Sequence, residues 1–292
     1  MARDKGRIKY HYGFYAAMKV EYALMNAKLD YDQEVQLGEE PIRVDFLIIK
    51  KNARVVLTDP IGEYFEAVNI FEYKSPEDSL SIDDFYKAVA YAFIYKGYNK
   101  NTNELHIEDM TLTLVRHTYP QKLMKALKKY GFTIDEQHPG IYRIGGITGL
   151  KIQFIVSSKL PDENYDGLKL IARGCKGDAV IRYMDKTANS GDSNVKTNAG
   201  TVLEMCLNIN KNLDEQIGGK MRTIREIFKD AFDETRQEGR QEGRQEGRNE
   251  AYESVAADML RKNLPLSLIE EISKLSEPAI RNLAASLGLK VV

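Results

Sequence analysis

The chain has 292 residues, 43% of them hydrophobic and 29% charged, with a formal net charge of −1. That length allows one large domain or two modest ones, and the near-neutral charge excludes a whole-surface basic footprint, so any nucleic-acid role must rest on local charge. Two isolated cysteines, Cys175 and Cys206, exclude a disulfide framework and a cysteine-based zinc cluster, and favour a reducing cytosol.

The first residues, MARDKGRIKYHYGF, contain no apolar run of the signal-peptide kind, and no later stretch is long enough to span a bilayer. A cytoplasmic location is therefore expected. Tyr12 to Asn26 reads as an amphipathic helix, with Phe14, Met18, Tyr22 and Met25 at helical spacing. Three strands are expected next: Ile42 to Lys50 (IRVDFLIIK), Arg54 to Leu57, and Glu66 to Lys74 (EAVNIFEYK), the last stopped by Ser75-Pro76. Asp83 to Lys96 has helical periodicity, with Ser81 as N-cap and acidic residues in its first turn. Met110 to Arg116 is a strand, Gln121 to Lys129 a short helix, and further strands run to about Ile171. This order predicts an α/β fold, a mixed sheet with helices packed against it.

From about Lys176 the pattern is helical. Arg236 to Arg248 carries the tandem repeat EGRQ-EGRQ-EGRN, which stacks Gly239, Gly243 and Gly247 into one stripe if the segment is a helix. Glycine opposes helix by about 1 kcal/mol each, so both a charged spacer and a close helix–helix contact fit the repeat. Ala251 to Arg261, Leu266 to Lys274 and Glu277 to Leu287 form a small helical module, with Ser267 and Ser276 as caps and Gly288 as its end. The expected divisions are 1–175, 176–235 as a helical extension, 236–250 as repeat helix or linker, and 251–292.

Asp45 stands among Val44, Phe46, Leu47, Ile48 and Ile49, where a carboxylate is costly unless it is paired or binds a cation. Glu72 and Lys74 lie two apart on a strand and so project to the same face. Two carboxylates offer hard oxygen ligands for Mg²⁺, with Mn²⁺ as a substitute, and a lysine can orient or deprotonate water and offset charge on a phosphate. Taken alone, the three residues fit a structural salt bridge as well as phosphodiester hydrolysis.

Longer phrases surround them. HYGFYAAMKVEY, PIRVDFLIIKK and NIFEYKSPEDSLSIDDFYKAVAYAFIYK together resemble the PD-(D/E)XK nuclease superfamily, and within it the recombination-promoting nucleases or putative transposases. Similar proteins also end in glycine- and glutamate-rich tetrapeptide repeats followed by a small helical tail. The resemblance runs through about residue 100 and fades from 101 to 230. It implies a restriction-endonuclease-like α-β-β-β-α-β core, with an all-helical C-terminal tail here. It also implies Asp45 and Glu72 as metal ligands, Lys74 as the catalytic lysine, and Glu21 as an additional acidic residue near the metal. Val44 stands where the superfamily's name has proline.

Further candidates are Lys87 and Tyr91, which would touch phosphate from the helix after the catalytic strand. Lys122, Lys125, Lys128 and Lys129 form a basic face on a short helix that would track a DNA backbone or simply be solvated. His11, His106, His117 and His138 lack metal-ligand spacing and are expected to be structural or exposed. The leading expectation is a Mg²⁺-dependent DNA endonuclease serving recombination, mobile-element activity or defence against foreign DNA. The alternative is an inactive nuclease fold kept as a DNA-binding or assembly module. Residues 221 to 292 are expected to mediate homo-oligomerisation, with Leu264, Leu266, Ile269, Ile272 and Leu275 exposed.

Overall fold

A computed structural model describes residues 10–25, 27–33, 36–37, 42–43, 46–52, 54–97, 104–161 and 164–289. In chain order the first elements are α1 (Tyr10–Leu24), β1 (Leu29–Gln33), β2 (Gln36–Leu37), β3 (Ile42–Arg43), β4 (Phe46–Lys51), β5 (Val68–Lys74), α2 (Ile82–Gly97), β6 (Met110–Arg116), α3 (Gln121–Lys129), β7 (Thr133–His138), β8 (Ile141–Gly145) and β9 (Lys151–Val156). Seven strands form one mixed sheet in the order β1-β4-β5-β6-β9-β8-β7. The pairs β5–β6 and β6–β9 are parallel, and the others antiparallel. β2 and β3 pair separately.

Alternation along β5 explains how the sheet separates two cores. Val68 and Ile70 face a core shared with α2 and α3, while Phe71 and Tyr73 face a second core shared with α1. On that second face Phe14 of α1 stacks on Tyr73 at 4.9 Å between ring centroids. A buried polar stripe crosses the same face. Asn69 donates to the carbonyls of Ile49 and Glu66, and its Oδ1 accepts from Glu66 N and Thr111 Oγ1. Both ends of the Asn69 amide are thus satisfied, which is what makes its burial tolerable.

One expected strand is not one. Arg54 to Leu57 is loop, turned by Asn52, whose Oδ1 accepts from Arg54 N and whose carbonyl accepts from Val55 N. The partner of β4 is instead β1, LDYDQ, an edge strand whose two aspartates hide it from β-propensity.

The helices α4 (Asp166–Leu170), α5 (Gly177–Ala188), α6 (Ser193–Ile209), α7 (Leu213–Ile217) and α8 (Lys220–Ile227) complete the α1 side. Val180, Val202, Leu203, Ile224 and Phe228 are buried in one cluster with Phe14, Phe71 and Tyr73. The stretch expected as an extension, 176–235, therefore shares the core of the sheet through Phe232. The chain divides into two compact units after Phe232.

Helix α9 (Lys229–Arg261) contains Gly239, Gly243 and Gly247, so the repeat is helical here. A Cβ on Gly247 would meet nothing within 4 Å among the described residues. With α10 (Leu266–Ser273) and α11 (Glu277–Ser286), the end of α9 builds a small core of Ala256, Leu260, Ile269 and Ile280. Ile269 is fully buried there and Leu264, Leu266 and Leu275 pack against it, so of the five residues expected at the surface only Ile272 is exposed. Pro265, not Ser267, is the N-cap residue of α10. Ser276 is that of α11, without a side-chain capping bond. Among the described residues no helix is long and apolar enough to cross a membrane.

Candidate functional site

Glu72 and Lys74 project from the C-terminal end of β5 onto the α2 face. The Lys74 ammonium lies 3.1 Å from Glu72 Oε1 and 3.8 Å from Asp84 Oδ1 of α2. These side chains are mostly but not wholly buried, with 21%, 14% and 28% of their surface exposed respectively, so the pair is open to a ligand at the rim of the sheet. Asp45 lies outside the described residues. Phe46, which follows it, is in register with Glu72 across the β4–β5 ladder.

Local sequence explains the cluster. Ser81 and Asp84 form a reciprocal cap at the start of α2: Ser81 N and Oγ each donate to Asp84 Oδ2 at 2.7 Å, and Asp84 N donates to Ser81 Oγ. This fixes the Asp84 carboxylate at the mouth of the strand end. Ser75 turns the chain after β5, with Ser75 Oγ donating to Asp78 Oδ2 at 2.8 Å. Arg116, opposite Lys74 in the parallel β5–β6 ladder, donates to the Asp78 carbonyl at 2.9 Å and ties that turn to the sheet.

Burial alone would pull the Lys74 ammonium down, but Glu72, then Asp84 and Asp78, more than offset it and hold its pKa above the usual lysine value. Burial likewise pushes Asp84 up, and the Ser81 donors with the Lys74 and Lys87 charges outweigh it, leaving its carboxyl below the usual range. The cluster thus holds a protonated lysine beside the ionised Asp84 carboxylate.

Glu21 is not part of it. It sits on α1, over the opposite face of the sheet, 2% exposed, near Lys186, Asp166 and Asp59. It lines a cavity of about 670 Å³ together with Asp59, Tyr165 and Lys186. The expected approach of Glu21 to Glu72 fails because α1 packs on Phe71 and Tyr73, the β5 residues that point away from Glu72. Burial pushes the Glu21 pKa up to about 7, against the Lys186 charge and the Gly167 N–H, which act the other way. Tyr165, at a left-handed φ of 58°, donates to Asp59 Oδ1 at 2.5 Å and closes the wall.

Lys87 and Tyr91 lie on α2, the helix that supplies Asp84. Lys87 is exposed, with its ammonium 5.6 Å from the ring centroid of Tyr91, which is largely buried in the core. The four lysines of α3, Lys122, Lys125, Lys128 and Lys129, are exposed beside α2 on the same side of the sheet. The histidines stand apart: His117 faces Ser157 Oγ at 3.1 Å and His138 pairs with Glu63 at 2.9 Å. Among the described residues no three His, Cys, Asp or Glu are grouped to hold a metal ion.

Asp84, Asp78 and Arg116 escape a reading of the sequence. The Ser81-x-x-Asp84 capping pattern was the available signal for the first; the other two depend on strand pairing. Comparison with known proteins returns no match among family models, curated proteins or solved structures.

Proposed function

We propose that this chain is a Mg²⁺-dependent nuclease with a restriction-endonuclease-like core, hydrolysing phosphodiester bonds in DNA through Asp45, Glu72 and Lys74. The observation that carries the proposal is the pairing of Glu72 and Lys74 at 3.1 Å on one face of β5. The element order α1, β1, β4, β5, α2, β6 supports it, as does the phrase EYKSPEDSLSIDDFYK.

Asp45 and Glu72 would hold the metal. The donor chemistry fits, since Mg²⁺ binds through one or two carboxylates and keeps several waters. When bound, it supplies a bound water of lowered pKa and offsets charge on the phosphate. The Lys74 ammonium, kept protonated by its acidic neighbours, holds a phosphate oxygen and stabilises charge that develops there. Asp84 keeps that ammonium in place, and Arg116 holds the turn behind it. The α3 lysines give the backbone an electrostatic track on the same side of the sheet. Cleavage of this kind serves recombination, mobile-element activity or defence against foreign DNA. Nicking of a supercoiled plasmid with Mg²⁺, and its absence with EDTA or in Asp45→Ala, tests the proposal.

The unit beginning at Asp233 is proposed to bring two such cores together, since cutting both strands is simplest with two symmetric sites. Exposed Val255, Leu268 and Ile272 support this. Light scattering on the full chain should give a dimer mass that reverts to a monomer when the chain ends at Phe232. A monomeric full chain would contradict it.

A further inference from the structure

Thirty-one positions separate the chain's two cysteines, yet the fold brings the Sγ of Cys175 to 3.1 Å from the Sγ of Cys206, both as free thiols. Cys206 is buried on the last turns of α6, and Cys175 is half-buried in the 171–176 segment between α4 and α5. Hydrogen bonds hold that segment in place. Asn210, the C-cap residue of α6, donates to the Ala172 carbonyl at 3.0 Å and accepts from Gly174 N at 2.6 Å. On the far side Gly177 N donates to Gln216 Oε1 at 3.1 Å.

The two thiols are unequal. The hydrogen bond with Cys206 holds the Cys175 thiol below its usual range against the opposing effect of burial, whereas that same bond and burial push Cys206 well up. The more accessible sulfur is therefore the one that ionises first, which is the division of labour between an attacking and a resolving thiol.

We propose that Cys175 and Cys206 form a peroxide-reactive dithiol, a reversible oxidation site that closes to an intrachain disulfide and locks the 171–176 segment onto the end of α6. The Cys175 thiolate attacks one oxygen of hydrogen peroxide. The O–O bond breaks, an S–O bond forms, and the departing hydroxide takes up the proton released by the thiol, leaving water and a sulfenic acid. Cys206 then attacks the Cys175 sulfur. The S–O bond breaks, the S–S bond forms, and the second hydroxide leaves as water with the Cys206 proton. Two thiols and one peroxide give one disulfide and two waters. Closing the bond to about 2.05 Å asks the sulfurs to approach by roughly 1 Å.

The locked segment leans on the strand that carries Lys74. Tyr73 Oη donates to the Ile171 carbonyl at 3.4 Å, and Arg173 pairs with Glu77 in the turn after β5. The oxidation site itself stands whatever reaction that strand supports.

The test uses the full-length reduced protein and stoichiometric hydrogen peroxide. Both thiols should disappear from a denaturing thiol count, the mass should fall by two hydrogens, and digestion should yield one peptide pair linking Cys175 to Cys206. Dithiothreitol should reverse all three, and the oxidised chain should melt at higher temperature than the reduced one. In Cys206→Ser the reaction should stop at a dimedone-trappable sulfenic acid on Cys175, and in Cys175→Ser the remaining thiol should survive the same dose. Circular dichroism checks that both variants fold. Retention of both thiols, disulfide-linked dimers, or over-oxidation of Cys175 without a cross-link would each overturn the proposal. An unchanged melting temperature on oxidation would overturn the lock.

Discussion

Glutamine in place of Glu21 should flatten a pH dependence of stability that the buried carboxyl imposes. Glu21 is 2% exposed, and burial raises its pKa from 4.5 to about 7. The folded protein thus binds this proton more tightly than the unfolded chain does. Stability falls as pH rises from about 4.5 to about 7, where the unfolded carboxyl has ionised and the folded one has not, and levels off above. A shift of this size corresponds to roughly 3 kcal/mol of destabilisation at pH 8 relative to pH 4. Glu21→Gln keeps the shape and an acceptor for the Gly167 N–H but has no proton to lose. The difference in unfolding free energy between variant and wild type should therefore grow by roughly 3 kcal/mol across that window. Urea unfolding followed by near-ultraviolet tyrosine dichroism reports it for the larger unit, because every tyrosine except Tyr252 precedes Asp233. Parallel stability–pH curves for the two proteins would refute the reasoning.

Two glycine substitutions should act in opposite directions. In Gly200→Ala on α6 the new methyl would stand 2.3 Å from the Ala231 Cβ, which has no rotamer to turn, so overpacking of about 1–3 kcal/mol should outweigh the gain of helix propensity. Gly247→Ala meets nothing within 4 Å and should stabilise its helix by up to about 1 kcal/mol, unless a second chain lies on the glycine stripe, when light scattering would show weaker association instead. Lys74→Ala should leave Mg²⁺ binding measurable by calorimetry while turnover falls by about 10²-fold or more, since it removes a group that offsets developing charge; unchanged turnover would remove Lys74 from the mechanism.

Where side-chain period and local chemistry agreed, the fold was legible in the chain. Met110–Arg116 and Gln121–Lys129 fall where alternation and helical spacing place them. Alternation also put Glu72 and Lys74 on one face. Long-range packing was not legible. Nothing in LDYDQ announces a strand, because the edge of a sheet tolerates aspartate. Glu21, placed near the site by the resemblance alone, lies on the other side of the sheet because α1 covers the Phe71 and Tyr73 face, which sequence spacing does not reveal. The cysteines looked isolated because contact between α6 and the 171–176 segment is invisible at a separation of 31 residues. The apolar tail residues looked exposed because they are buried only where the end of α9, α10 and α11 pack together, a contact no single segment reveals.

The central claim is tested most directly by cleavage of plasmid DNA by purified wild-type chain and Glu72→Gln, each with Mg²⁺ and with EDTA. Glutamine keeps the shape of the side chain and removes its charge. The account predicts nicking by the wild type with Mg²⁺ only, and none by a Glu72→Gln variant whose dichroism is unchanged. Cleavage that persists in EDTA or in Glu72→Gln, or a folded wild type that leaves the plasmid intact with Mg²⁺, would contradict it.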